Sequence, residues 1–184
     1  MNVKTIGAKH PIAKLVSVIV VCRRFLLVGM VLFHTGVHAQ LREMKITKHY
    51  LNIPVGDRAR MKMIELRVNG ALKREFPVQL AEDSVSYWIF IDVPEFKGQK
   101  VAVSSHASQA SLDRIYQDDR INGEDSLYSE RNRPVFHFTV KRGWSNDING
   151  PIYYNGQYHL FWQAFPFGLI WNTGFMYWGH AVSN

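Results

Sequence analysis

One carboxylate, Asp147, stands among turn-forming, aromatic and carboxamide residues in segment 143–163. Asn146 precedes it and Asn149 and Gly150 follow it, and these residue types accept bent or left-handed backbone. Aromatic rings stack on the apolar faces of sugars, and carboxamides hydrogen-bond hydroxyl groups. The segment therefore predicts one of two roles for Asp147: a plain turn residue or a carboxylate in a sugar site.

A hairpin is predicted to carry this carboxylate. Two strand-like runs, residues 152–154 and 158–163, flank Asn155 and Gly156, a dipeptide that tolerates positive φ at both centres of a tight turn. We interpret 144–150, WSNDING, as a turn between strands, so that Asp147 lies at the head of the hairpin.

Three linked segments carry a family resemblance. They are RPVFHFTVKRGWSNDING, YYNGQYHLFWQ and YWGHAVS, within residues 133–183. They resemble, in order, the opening blade of the five-bladed β-propeller glycoside hydrolases that cleave fructose polymers and sucrose: levanases, inulinases and invertases. The module before them is similar to the small β-domain that precedes the propeller in levanase-like proteins of Bacteroidetes.

The resemblance implies a role for each matching residue. Asp147 matches the nucleophile that attacks the anomeric carbon and forms a covalent fructosyl-enzyme. Asn146 matches a contact to substrate hydroxyls, Gln163 matches the glutamine of the family's Y-Q motif, and Trp171 matches an indole at the pocket rim. The implied substrate is a fructan or sucrose, and levan, inulin and sucrose all stay open, as do endo and exo action.

The segments also depart from the family pattern. Ser145 replaces the usual Met, and Ile148 replaces a Pro that would have fixed φ beside Asp147. Phe165 stands where the family has Asn, and the interval from Trp171 to Trp178 is two residues longer. We expect a looser turn and an altered pocket rim.

A retaining glycosidase needs a second carboxylate about 5 Å from the first to protonate the leaving oxygen. In the family this acid is a Glu before Cys, and an Asp in an R-D-P motif stabilises the transition state, but the sequence contains neither motif. We expect the chain as given to be an inactive N-terminal fragment. The alternatives are a non-catalytic glycan-binding module and a decayed gene product.

The elements upstream predict an all-β chain. Ile64, Leu66 and Val68 alternate with polar residues and precede the turn dipeptide Asn69-Gly70, which predicts a hairpin with one wet face. Residues 86–93 are apolar on both faces and predict a central strand. We expect a small antiparallel β-sandwich over 40–105, a connecting segment over 106–133, and the first blade of an incomplete five-bladed propeller over 134–184.

The first 39 residues predict an export signal. They hold an apolar run, 25–33, after Arg23 and Arg24, and a small residue before Gln40. They also hold five basic residues and no acidic one, so most of the formal net charge of +7 lies there and nucleic-acid binding is disfavoured. We expect an exported protein with no stable membrane span after cleavage, and the oligomeric state stays open.

No metal or other cofactor is expected. The lone cysteine, Cys22, lies in the leader, which excludes thiolate zinc sites from the mature chain. His137, His159 and His180 are spaced 22 and 21 residues apart in strand-like settings, so we expect buried, hydrogen-bonded histidines rather than ligands. Trp162 is predicted to be ordinary core.

Overall fold

The computed structural model describes residues 38–171 and 174–183, so the export signal predicted for residues 1–39 lies almost wholly outside the described residues. Ten strands and one short α-helix, α1, dominate this part. The bounds are β1 Gln40–Lys45, β2 Tyr50–Val55, β3 Lys62–Val68, β4 Ala71–Val78, β5 Tyr87–Asp92, β6 Lys100–Ser105, α1 Gln109–Asp113, β7 Tyr116–Asp118, β8 Trp144–Tyr154, β9 Gln157–Phe165 and β10 Tyr177–Ser183.

Two antiparallel sheets form the N-terminal sandwich. Their strand orders are β1-β6-β3-β4 and β5-β2-β7. Both contribute to a single apolar core, which includes Leu51 and Ile53 from β2 and Ile64 and Leu66 from β3, each at most 1% exposed. The core lies between the sheets because each strand turns one row of side chains inward.

The predicted hairpin of β3 and β4 is confirmed. Ile64, Leu66 and Val68 are buried while the intervening side chains are half-buried, as the alternation indicates. Asn69 and Gly70 have φ of 50° and 78°, the left-handed conformation that this turn requires.

The prediction of a central strand over 86–93 is wrong. β5 lies at the edge of its sheet and pairs with β2 alone within the described residues. One of its rows is rich in aromatic residues, and these rings pack on tyrosines of β2 and β7 in the same sheet. Trp88 meets Tyr116 at 5.3 Å and Phe90 meets Tyr50 at 5.6 Å between ring centroids.

Segment 106–133 contributes to the sandwich. The helix α1 begins at the N-cap Ser108, whose side chain accepts a hydrogen bond from the Ser111 N–H, and β7 pairs with β2. Further along, the fully buried Asn52 side chain donates to the Arg120 carbonyl at 3.1 Å and accepts from the Asn122 N–H at 2.7 Å. A buried carboxamide with both ends paired fixes this part of the segment against β2.

A separate three-stranded antiparallel sheet follows, with the order β10-β9-β8. The predicted turn at Asn155 and Gly156 joins β8 to β9, with φ of 50° and 82°. Trp162 is 8% exposed, as predicted for a core residue, and lies over Gly179 of β10. The predicted fold class is confirmed: the chain is all-β, with an antiparallel sandwich ahead of a blade-like sheet.

No helix in the described ranges is both long enough and apolar enough to cross a membrane.

Candidate functional site

The site around Asp147 is built on a distorted strand. The prediction of a turn over 144–150 is wrong, because these residues lie inside β8 and pair with β9. Asn146 pairs with Gln163 and Ile148 pairs with Trp162, so Asp147 is an extra residue in a bulge. The predicted tolerance for left-handed backbone is nevertheless used, since Asp147 has φ of 45°.

The bulge turns Asp147 out of the strand ladder. Its residue is exposed, and the Asn149 side chain donates to its backbone carbonyl at 2.6 Å. Bulges redirect single side chains in this way and occur often beside active sites. In a regular strand, successive side chains point to alternate faces of the sheet, and residue 147 would have a partner on β9.

Two carboxamides are joined beside the bulge. The Asn146 Nδ2 donates to the Gln163 Oε1 at 3.3 Å, and the Trp144 Nε1 donates to the Asn146 Oδ1 at 2.9 Å. Asn146 and Gln163 are half-buried. These two hydrogen bonds, from Trp144 to Asn146 and from Asn146 to Gln163, thus orient polar groups across β8 and β9 next to Asp147.

The structure does not bring Trp171 to this cluster. Trp171 follows β9 on a loop, is 60% exposed, and makes no ring contact or hydrogen bond within the part of the chain that the structure describes. Three of the four predicted site residues are therefore neighbours in space, and the fourth lies on an adjoining loop.

A cavity of about 710 Å³ lies at the other end of the same sheet. It is lined mainly by apolar groups, among them Phe138, Ile152, Tyr158, Leu160 and Val182. Its lining includes none of the four predicted site residues. We assign the cavity to the uncovered apolar surface of the sheet rather than to the Asp147 cluster.

A histidine pair was missed by the sequence reasoning. His159 on β9 and His180 on β10 are hydrogen-bonded, with Nδ1 and Nε2 at 2.9 Å and ring planes 10° apart. The predicted hydrogen bonding of His159 and His180 is confirmed, but the predicted burial is wrong: His159 is half-buried, and His180 and His137 are exposed. Antiparallel pairing of two strands joins residues that are 21 positions apart, which the sequence spacing alone does not reveal.

The described residues contain no group of three or more His, Cys, Asp or Glu side chains able to hold a metal ion.

Comparison with known proteins finds a family match over the part of the chain that contains the β8–β10 sheet. Residues 137–184 match the family model described as Glycosyl hydrolases family 32 N-terminal domain. Over this stretch the chain is similar to the family, which confirms the resemblance that the motifs indicated.

Individual relatives match part of the chain. The chain is 55% identical over 60 residues to "Levanase" of Bacillus subtilis (strain 168), covering 33% of this chain and 9% of that protein. It is 53% identical over 53 residues to "Beta-fructofuranosidase, insoluble isoenzyme 6" of Oryza sativa subsp. japonica, covering 29% and 9%. It is 51% identical over 57 residues to "Sucrose-6-phosphate hydrolase" of Zymomonas mobilis, covering 31% and 11%.

The chain spans about a tenth of the length of these curated relatives. Among solved structures, it is similar to "Structure of Glycoside Hydrolase family 32 from Bifidobacterium adolescentis", with a TM-score of 0.33 and 21% identity. That similarity covers 78% of this chain and 25% of the other.

Proposed function

We propose that this chain is the leading part of a retaining glycosidase that cleaves β-fructosyl linkages of a fructan or sucrose, with Asp147 as nucleophile. The names of the relatives, a levanase, a β-fructofuranosidase and a sucrose-6-phosphate hydrolase, support the substrate class. The β8–β10 sheet would then be the first blade of a five-bladed propeller.

One observation carries the proposal. Asp147 is the bulged residue of β8, exposed and with φ of 45°, directly beside the hydrogen-bonded carboxamides of Asn146 and Gln163. A carboxylate that only capped a turn would need no such pair across the neighbouring strand. Carboxamides offer both a donor and an acceptor, which suits recognition of sugar hydroxyls.

The proposed reaction has two steps. A carboxylate oxygen of Asp147 forms a bond to the anomeric carbon while the bond to the glycosidic oxygen breaks, and that oxygen takes a proton from an acid group. Water then attacks the anomeric carbon of the fructosyl ester and gives its proton to the same group acting as base. Fructose leaves and the Asp147 carboxylate is restored.

The sequence contains neither the Glu before Cys that the resemblance implies as this acid nor the R-D-P motif with the transition-state Asp. We therefore expect no appreciable hydrolysis of levan, inulin or sucrose by the 184 residues alone. Sustained release of fructose by these residues, measured as reducing sugar, would contradict this expectation.

A covalent label tests the nucleophile. An activated fructosyl donor with a good leaving group needs little acid assistance, so we expect it to form an ester on Asp147 of the complete protein. Peptide mass mapping should place the label in β8 and find none in Asp147→Asn. The matched control is Asp119→Asn, because Asp119 is an exposed carboxylate of the sandwich module and its loss should leave the label in place.

Two outcomes would redirect the proposal. A label on another residue contradicts Asp147 as nucleophile. Saturable binding of fructo-oligosaccharide without any label favours a non-catalytic glycan-binding module.

We further propose that the protein is exported, on the basis of the leader sequence over 1–39. N-terminal sequencing of the mature protein should find Gln40 as its first residue. An intact leader on the mature product contradicts this proposal.

A further inference from the structure

The loop that follows β9 is attached to the sandwich by a stacked pair of rings. The Phe167 ring lies on that of Phe76, with ring centroids 4.0 Å apart and ring planes at 18°. Phe76 belongs to β4 and is 1% exposed. Phe167 packs against the sandwich core, although in sequence it lies between β9 and β10 of the blade-like sheet.

The same ring also contacts the sheet from which it comes. Phe167 meets Phe165 at 5.9 Å and Tyr177 at 5.5 Å between ring centroids, both edge to face. Phe165 is fully buried. Offset and edge-on aromatic contacts are favourable beyond the area they bury, so Phe167 is fixed from two sides.

The next residue of the loop, Gly168, also lies close to the sandwich. Gly168 is buried, and a Cβ there would lie 3.0 Å from the Phe165 ring and 3.9 Å from the Tyr87 hydroxyl. Burial raises the pKa of the Tyr87 phenol. The loop backbone therefore approaches β5 of the sandwich closely at this point.

The strand on the other side of the site is tied to the sandwich as well. Arg142, just before β8, donates to the Trp88 carbonyl at 2.6 Å and to the Asn122 carbonyl. Asn122 is in turn fixed by the buried Asn52. The base of β8 and the end of β9 pair through Trp144 and Phe165, so both strands of the candidate site leave from anchored points.

These anchors limit the position of Trp171. Trp171 lies four residues after Phe167, and an extended chain spans at most about 3.6 Å for each residue. With Phe167 fixed, the start of the segment that carries Trp171 is fixed too. With Phe167 free, that segment is held only where it joins β9 and β10 and would sample more positions.

We propose that Phe76 and Phe167 are positioning residues through which the N-terminal sandwich holds the loop 166–171, which carries Trp171 and follows strand β9 of the candidate site. What the held loop does for a sugar rests on the function proposed above. The inference gives the sandwich module a role in shaping the rim of the site and requires no sugar contact of its own.

Hydrogen exchange of the full-length protein, followed by mass spectrometry, tests the holding of the loop. Phe167→Ala should speed exchange in 168–171 by roughly three- to tenfold, because it removes the aromatic contacts, and should leave β2 and β3 protected. Phe167→Tyr keeps the ring and should restore the protection. Unchanged exchange in Phe167→Ala overturns the inference.

Two further variants serve as a control and as a second test of the inference. Phe90→Ala removes a half-buried ring that packs on Tyr50 elsewhere in the sandwich, so it should leave 168–171 unchanged. Equal loss of protection in Phe90→Ala would mean general loosening and overturn the inference. Phe76→Leu keeps an apolar side chain in the core, removes the stacking partner, and should release the loop from the sandwich side.

A binding measurement separates this inference from the proposed function. Titration of a β-2,6-linked fructo-oligosaccharide against the same proteins should show weaker binding in Phe167→Ala and Phe76→Leu, with recovery in Phe167→Tyr. Loop release with unchanged affinity supports the holding of the loop and contradicts the assignment of Trp171 to the sugar site. Unchanged loop protection overturns the inference whether or not the sugar binds.

Discussion

The Nδ2 of Asn146 donates a hydrogen bond to the Oε1 of Gln163, 3.3 Å away across β8 and β9. Because the Trp144 indole donates to the other end of the same amide, the amide of Asn146 has a fixed orientation. Its link to Gln163 then fixes the Gln163 amide, whose Nε2 is the group available to donate to a sugar hydroxyl.

Gln163→Ala should therefore weaken binding of fructo-oligosaccharide by the complete protein. Loss of a hydrogen-bonded carboxamide costs about 0.5–1.5 kcal/mol, or roughly two- to twelvefold in affinity. Calorimetric titration measures the change. Gln99→Ala is the control, since Gln99 donates to the Glu95 carbonyl within the sandwich; an equal loss in both variants would refute a specific role for Gln163.

Gly179→Ala should lower the free energy of unfolding of the blade-like sheet. A Cβ at this position would lie 2.0 Å from the Trp162 Cε2, so the indole would have to leave its buried place. We expect a destabilisation of about 3 kcal/mol or more, similar to the truncation of a buried aromatic residue. Urea unfolding followed by tryptophan fluorescence measures it.

Gly156→Ala is the matched comparison for Gly179→Ala. Gly156 has open space around it but φ of 82°, so its substitution adds backbone strain of about 1–2 kcal/mol without a clash. If Gly179→Ala proved no more destabilising than Gly156→Ala, the result would contradict the packing of the Trp162 indole directly on Gly179.

The Glu130 carboxylate should remain ionised at pH values well below its ordinary pKa of 4.5. The Arg133 guanidinium donates to both carboxylate oxygens and holds the pKa of Glu130 at about 2, below its ordinary 4.5. A lowered pKa in the folded state means that the ion pair stabilises the fold above about pH 4.5 and that this stabilisation is lost as the pH falls through about 2.

Titration of the Glu130 carboxyl carbon by NMR measures this directly. The midpoint should lie near pH 2 in wild type and move upward in Arg133→Met. A wild-type midpoint near pH 4.5 would show that the Arg133 contact does not persist in solution.

Local signals in the sequence predicted much of the fold. Asn69-Gly70 and Asn155-Gly156 each form the expected hairpin turn because only a few residue types accept positive φ at both centres. The alternation of Ile64, Leu66 and Val68 likewise predicted the buried row of β3. Such features depend on residues that are neighbours in the chain.

Features that depend on distant neighbours were not predicted. The apolar second face of β5 indicated a central strand, but its aromatics pack on Tyr50 and Tyr116 at the edge of the sheet. The segment around Asp147 has the residue types of a turn, yet pairing with β9 makes it a bulge. The stack of Phe167 on Phe76 joins residues from two sheets, and nothing in either local sequence indicates the partner.

The two edges of the blade-like sheet differ in a way that affects growth of the sheet. β8 is interrupted by register breaks after Asn146 and Asn149 and contains Pro151, whereas β10 pairs with β9 in unbroken register over Tyr177–Ser183. Bulges and proline obstruct the addition of a strand, and a regular edge permits it. Any additional strand, from this chain or another, should therefore pair alongside β10, so that the sheet is extended at that edge only.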